Sequence, residues 1–113
     1  MRNANDALRH HNCTDGYYRF NYGLIATSGV KALADTFKAY WLLDVIASYQ
    51  PQLDGEGFQL WHLRRFTDCS AIVECEDGNG RKLVEQEIPY TDFEAEEATI
   101  WVEEGVALLP SEH

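Results

Sequence analysis

The sequence is poor in basic residues, and this shortage excludes several classes of function. Only nine Lys and Arg stand against 19 Asp and Glu among the 113 residues, so the formal net charge is −10 and the isoelectric point is about 4.6. A surface this negative repels the phosphate groups of nucleic acids and the anionic headgroups of membranes. We therefore expect no direct binding to nucleic acid or to a membrane.

Long apolar runs and paired cysteines are missing as well. No stretch approaches the roughly 18 apolar residues of a membrane span, and the first residues lack the apolar core of a signal peptide. The three cysteines, Cys13, Cys69 and Cys75, form no C-x-x-C pair. These absences predict reduced thiols and a cytoplasmic location.

Motifs for catalysis, cofactors and metals are also lacking. There is no H-E-x-x-H sequence, no Cys/His cluster and no G-x-S-x-G sequence. We therefore predict that the protein is not an enzyme and that it has no catalytic residue, metal site or cofactor. His62, in a predicted strand, and Asp44, in an apolar helix, leave one alternative open, a small enzyme or ligand-binding domain. Asp44 shares a helical stripe with Tyr40 and Ser48, which we expect on the solvent side.

The periodicity of apolar residues predicts an α+β fold. The length is that of one domain, which we place at residues 15–113 after a flexible leader at 1–14. Thr27 and Ser28 precede a run of helix formers, as a helix N-cap does. The predicted helices are 28–36 and 37–49, and the predicted strands are 58–66, 70–76, 82–88 and 98–103, with a turn at 77–80. We predict two N-terminal helices packed on a four-stranded, mainly antiparallel sheet. Residues 17–22 are a short strand or an extended arm, and residues 106–109 form an apolar tail.

The negative charge is concentrated in the second half of the chain. Residues 1–50 carry a net charge of +1 and residues 51–113 carry −11. The stretch 85–104 holds eight acids and no Lys or Arg. A solvated acidic face without a partner is one interpretation, and a surface that meets a basic partner is the other. For the second interpretation the predicted partner-binding residues are Glu85, Glu87, Asp92, Glu94, Glu96 and Glu97, with Phe93 as an apolar anchor. Trp101 is either a core residue or a further anchor.

Several blocks of the chain resemble a family of small proteins of unknown function from bacterial plasmids, prophages and other mobile elements. These blocks are residues 27–34, 40–44, 47–50, 77–80, 90–93 and 108–112, and the similarity spans about residues 15 to 113. The resemblance implies a genomic context and carries no catalytic residue with it. Small acidic proteins of mobile elements include anti-CRISPR proteins and nucleic-acid mimics.

Together these observations predict a small acidic, non-enzymatic binding protein of the anti-CRISPR type. It would inhibit a host nucleic-acid-binding defence complex by blocking or mimicking nucleic acid at a basic groove. The predicted partner is a basic host protein or ribonucleoprotein complex. We expect a monomer or a homodimer, and a structural homodimer without inhibitory activity is a further alternative.

Overall fold

A computed structural model describes residues 3–7, 16–93 and 95–112 of the chain. The α-helices are α1 (Ala4–Ala7), α2 (Ser28–Phe37) and α3 (Tyr40–Tyr49). The strands are β1 (Tyr17–Arg19), β2 (Ile25–Thr27), β3 (Phe58–Arg65), β4 (Ala71–Glu76), β5 (Lys82–Ile88), β6 (Glu97–Glu103) and β7 (Val106–Leu108). Two 3₁₀ turns lie at Asn21–Gly23 and Pro110–Glu112.

The strands of the described residues form one mixed sheet in the order β1-β2-β7-β6-β3-β4-β5. Neighbouring strands are antiparallel except β2 and β7, which are parallel and pair Ile25 with Val106. The predicted fold class, two helices on a four-stranded antiparallel sheet, is therefore wrong. The four predicted strands are present as β3 to β6, but three short strands extend the sheet beyond β6. The predicted apolar tail is β7, and its central residue Ala107 is fully buried.

Local capping sets the limits of the two long helices. Thr27 Oγ1 accepts a hydrogen bond from the Val30 N–H at 3.3 Å, which confirms the predicted N-cap of α2. Lys38 adopts a left-handed conformation with φ 58° and closes the helix through its N–H bond to the Ala34 carbonyl. Because of this break, α3 begins at Tyr40 rather than at residue 37.

The two long helices lie on one side of the sheet, which we call the helix face. The ring centroids of Tyr49 on α3 and Trp61 on β3 are 5.9 Å apart, and the Tyr49 hydroxyl donates to Gln86 Oε1 on β5 at 2.8 Å. Between helices and sheet lies a core in which Trp61, Ile46 and Ile100 are at most 1% exposed. Burial of this apolar surface is the main stabilising contribution to the fold.

Hydrogen bonds among buried side chains satisfy polar groups of the helix face. Gln59, which is 3% exposed, and Gln50 exchange two amide hydrogen bonds of 2.9 and 3.0 Å. The Trp61 indole N–H also donates to Gln59 Oε1 at 2.9 Å. Since burial of an unpaired amide is costly, these bonds allow a glutamine to occupy a core position.

Residues on the other side of β3 to β6 form what we call the open face, because no helix of the described residues covers it. Residues directly opposite each other on paired strands lie on the same face of a sheet. The registers therefore assign to the open face Phe58, Leu60, His62 and Arg64 (β3), Ile72, Glu74 and Glu76 (β4), Lys82, Glu85 and Glu87 (β5), and Glu97, Thr99, Trp101 and Glu103 (β6).

The first described residues cover the part of β6 that β7 does not reach. The Asn5 side chain donates a hydrogen bond to the Thr99 carbonyl at 2.7 Å and accepts one from the Thr99 N–H at 2.5 Å. Asn3 forms an isolated parallel β-bridge with Glu97. Ala4 is fully buried against the core. Residues 3–7 of the predicted leader thus protect a strand edge. Residues 8–15 lie outside the described residues, so the extent of the leader stays a prediction.

The predicted turn at 77–80 joins β4 and β5 and is confirmed. Gly78 and Gly80 have φ values of 87° and 92°, which side chains rarely tolerate. A Cβ atom on Gly78 would also lie 2.9 Å from the Phe58 ring. Glycine at 78 therefore lets the turn pack directly on an aromatic ring of the open face.

The last described residues close the N-terminus of α2. Glu112 accepts hydrogen bonds from the Thr27 hydroxyl at 2.6 Å, the Gly29 N–H at 3.2 Å and the Leu109 N–H at 2.9 Å. A carboxylate is favourable here because the helix dipole is positive at this end. Gly29 leaves room for it, since a Cβ there would lie 2.6 Å from the Glu112 carboxyl carbon.

Candidate partner-binding surface

Cross-strand pairing arranges the open face in rows. His62 lies between Thr99 of β6 and Glu74 of β4. The adjacent row towards the β4–β5 turn contains Leu60, between Trp101 and Glu76. The register between β3 and its neighbours thus brings acids from distant parts of the sequence onto one surface.

Carboxylates dominate this surface. The open face carries six of them, against the two permanent cations Arg64 and Lys82; the six are Glu74, Glu76, Glu85, Glu87, Glu97 and Glu103. Because like charges directly opposite each other destabilise a sheet, such an arrangement costs folding stability. Taken together, the carboxylates of the open face therefore lower the stability of the fold.

Ion pairs offset part of this repulsion. Lys82 Nζ lies 2.8 Å from Glu85 Oε1 and 3.6 Å from Glu74 Oε2, and it bridges two carboxylates that stand directly opposite each other. The hydrogen bond to Glu85, followed by the charges of Glu74 and Glu85, raises the pKa of Lys82. His62 Nε2 is 3.5 Å from Glu97 Oε1. All these groups are partly exposed, so the pairs are weak and are screened by salt.

The predicted partner-binding acids occupy different places. Glu85, Glu87 and Glu97 lie on the open face. Glu96 is half-buried and lines a cavity of about 320 Å³ beside Arg64, Arg65 and Phe66. Asp92 is exposed on the connection between β5 and β6. Glu94 lies outside the described residues.

The predicted apolar anchor Phe93 is buried. Its ring is 2% exposed and packs on Phe37 of α2 with the centroids 5.9 Å apart. The Phe93 N–H donates to Thr91 Oγ1 at 3.1 Å, which fixes the connection at this point. A partner has no access to this ring, so Phe93 is not part of the surface considered below.

Trp101, for which the sequence left two interpretations, is half-buried on the open face rather than in the core. Its indole packs edge-to-face on the Phe58 ring with the centroids 5.5 Å apart. Leu60 is directly opposite Trp101 and is also half-buried. The open face therefore has an aromatic and aliphatic patch among its carboxylates.

His62 and Asp44 are not brought together. Asp44 is exposed on α3, as are Tyr40 and Ser48, which confirms the predicted solvent-facing stripe. His62 lies on the open face, so the sheet separates it from α3. The two side chains therefore do not form an acid–base pair.

The two described cysteines are free thiols. Cys75 is 1% exposed on the helix face, and burial, followed by the nearby charges of Glu56 and Glu76, raises the pKa of its thiol to about 12. Cys69 is half-buried. Within residues 3–7, 16–93 and 95–112, no three His, Cys, Asp or Glu side chains are grouped as a metal site would require. In the same residues no helix has the length and apolar character of a membrane span.

Sequence reasoning missed the contribution of β4. Glu74 and Glu76 stand beside β3 at the centre of the open face, yet they lie outside the acidic stretch 85–104. The signal was present in the alternation of β4, where Ala71, Val73 and Cys75 are buried and the intervening residues are not. The alternation identifies the outward residues, but only the strand order shows which other acids they join.

The fold and this surface define a small protein with a mixed sheet, helices on one face and carboxylates on the other. Over residues 2–113 the chain matches the model of DUF6876, a family of unknown function, and it belongs to that family. The predicted membership of a family of unknown function is confirmed to this extent. No curated protein and no solved structure matches the chain.

Proposed function

We propose that the protein is a non-enzymatic binding protein whose open face docks on a basic surface of a host nucleic-acid-binding complex. In this proposal it acts in the cytoplasm as an inhibitor of the anti-CRISPR type, encoded by a mobile element. Carboxylates of the open face take the place that phosphate groups hold in a basic groove. Occupation of the groove then excludes the nucleic acid.

One observation carries the proposal: six carboxylates share a sheet face that no described helix covers, with two permanent cations among them. The arrangement costs stability, so a role outside folding is its simplest physical explanation. Three of the acids, Glu85, Glu87 and Glu97, were predicted as partner-binding residues, and Glu74 and Glu76 join them through the strand order.

The expected association is fast and sensitive to salt. Opposite potentials on two surfaces accelerate their encounter, and dissolved ions screen this attraction over about 8 Å at physiological ionic strength. Raised salt should therefore weaken the binding of the protein to the basic groove, as it weakens the binding of nucleic acid.

Inhibition of DNA binding by purified CRISPR effector complexes tests the proposal. We expect the wild-type protein to displace target DNA from one of the complexes tested and the double variant Glu85→Lys/Glu87→Lys to lose at least about tenfold in inhibition. The matched control is Asp44→Lys/Asp54→Lys, which makes the same change in net charge at exposed residues outside the open face. It should inhibit nearly as well as the wild type.

Two results would contradict the proposal. Equal loss of inhibition in both double variants would show that only net charge matters and that the open face has no special role. Inhibition that persists in Glu85→Lys/Glu87→Lys would place the contact elsewhere on the molecule.

A further inference from the structure

We propose that the binding energy of the open face resides in an apolar ridge of Phe58, Leu60 and Trp101, and that the ridge receives an apolar side chain flanked by arginines on a protein segment of the partner. This inference rests on the proposed function and specifies the chemistry of the partner. The carboxylates then set the rate and orientation of the encounter, whereas the ridge sets the lifetime of the complex.

The ridge crosses two central strands of the sheet. Leu60 and Trp101 stand directly opposite each other on β3 and β6, and Phe58 packs against the Trp101 indole at a ring-centroid distance of 5.5 Å. All three side chains are half-buried, so part of each is available for contact. Tryptophan contributes more than most residues to binding when a partner desolvates it.

The ridge is held in place before a partner arrives. The Phe58 ring lies between Trp101 on one side and the backbone of Gly78 on the other, where even a Cβ atom would approach to 2.9 Å. An anchor that is already fixed loses little conformational entropy on binding. This support distinguishes the ridge from the exposed tyrosines of the molecule, such as Tyr17 and Tyr22, which are 65% and 67% exposed.

Charge around the ridge determines which occupant fits. Glu76 is opposite Leu60, and Glu103 is opposite Phe58, so carboxylates border the ridge on both sides. A second copy of the chain in a symmetric contact over the ridge would bring carboxylates of one copy against carboxylates of the other, which is repulsive. A protein segment with an apolar centre and arginines on its flanks complements both features, because arginine pairs with carboxylates and its aliphatic part covers apolar surface.

A cavity of about 260 Å³ beside the ridge supports the arginine component. It lies next to Leu60 and is lined by His62, Glu74, Glu76 and Lys82. The Lys82 ammonium lies 3.6 Å from Glu74 Oε2, so this carboxylate already accepts a cation from within the chain. A guanidinium group from a partner meets the carboxylates of Glu74 and Glu76 there, and Leu60 lines the same cavity beside its aliphatic stem.

Two synthetic peptides of equal length and equal arginine content test the inference. In one peptide arginines alternate with leucine, and in the other they alternate with serine. We expect the wild-type protein to bind the arginine–leucine peptide roughly 30-fold more tightly in a calorimetric titration, and to retain this preference when salt is raised. In Trp101→Ser the preference should fall below about threefold, whereas in the control Tyr17→Ser it should persist.

The outcomes separate this inference from the proposed function. If both peptides bind the wild-type protein equally, and both weaken in Glu85→Lys/Glu87→Lys, the ridge has no role while the acidic docking surface stands. If binding of neither peptide responds to that double variant, the proposed function itself fails. Should Trp101→Ser not fold, as judged by circular dichroism, Leu60→Ser and the comparison of the two peptides on the wild-type protein decide the question.

Discussion

The two faces of the sheet differ although alternating residues of the same strands form them. On β3, Trp61 on the helix face is 1% exposed and hydrogen-bonded, whereas the neighbouring side chain of His62 is 34% exposed on the open face. Since successive side chains of a strand point to opposite faces, one short segment serves two purposes. The helix face stabilises the fold, and the open face is free to carry charges that a core would not accept.

Replacement of one tryptophan on each face should give the largest contrast in stability. Trp61→Ala removes a fully buried indole that packs on Tyr49, and we expect it to lower the free energy of unfolding by about 3–5 kcal/mol. Trp101→Ala on the open face should lower it by about 1 kcal/mol. Urea unfolding followed by circular dichroism measures both, and equal losses would show that the two faces are buried alike.

Polar groups should show the same contrast on a smaller scale. Gln59→Ala removes the acceptor of the Trp61 indole N–H and of the Gln50 amide in a buried setting. We expect a loss of about 1–3 kcal/mol in the free energy of unfolding, because buried donors are left without partners. His62→Ala breaks only a partly exposed contact to Glu97 and should cost less than about 1 kcal/mol. A larger effect at His62 than at Gln59 would contradict the assignment of the faces.

A pH-dependent difference is expected for the buried thiol of the helix face. The pKa of Cys75 is raised from 9.0 to about 12, so the unfolded chain releases this proton at lower pH than the folded protein does. The contribution of Cys75 to stability is therefore complete below about pH 9 and is lost as the pH rises towards 12.

The variant Cys75→Ala lacks this titration. The stability difference between wild type and Cys75→Ala should therefore shrink from about pH 9 upward in denaturant titrations. Cys69→Ala, which removes a half-buried thiol, is the matched control for the loss of a sulfur atom. A Cys75→Ala difference that stays constant across this pH range would contradict the burial of the thiol.

The smallest effect concerns charge on the open face. Lys82→Met leaves Glu74 and Glu85 directly opposite each other without the ammonium group that bridges them. We expect a slight decrease in melting temperature at low salt that becomes smaller at about 0.5 M salt, because dissolved ions screen partly exposed charges. A decrease that is independent of salt would mean that Lys82 acts through packing of its aliphatic stem.

The sequence allowed prediction of the strands that show a clear period. Residues 17–22, which contain β1, were predicted only as a short strand or an extended arm, and β2 and β7 were missed. The strands β3 to β6 have six to eight residues each, long enough for alternation to be visible, and all four were predicted. The strands β1, β2 and β7 have three residues each. Three residues cannot display a period of two, and the parallel pairing of Ile25 with Val106 joins segments that no local pattern connects.

The candidate surface was predicted only in part, because a local pattern does not show which strands are neighbours in the sheet. A run of acids in the sequence identified Glu85, Glu87 and Glu97, which share the open face. The placement of Glu74 and Glu76 depends on β4 lying between β3 and β5, which is a property of the whole sheet. Phe93 was chosen because it is flanked by acids, but the connection turns its ring into the core.

The position of β2 in the sheet has a consequence for the order of folding. β2 lies between β1 and β7, so its hydrogen-bonding edge stays incomplete until residues 106–108 have been synthesised. A nascent chain that has reached only β6 therefore carries an unsatisfied strand edge and an α2 whose first turn lacks the Glu112 carboxylate. Non-local pairing of this kind is slow and leaves intermediates exposed to aggregation. We therefore expect the domain to acquire its native state only after residues 106–112 have left the ribosome.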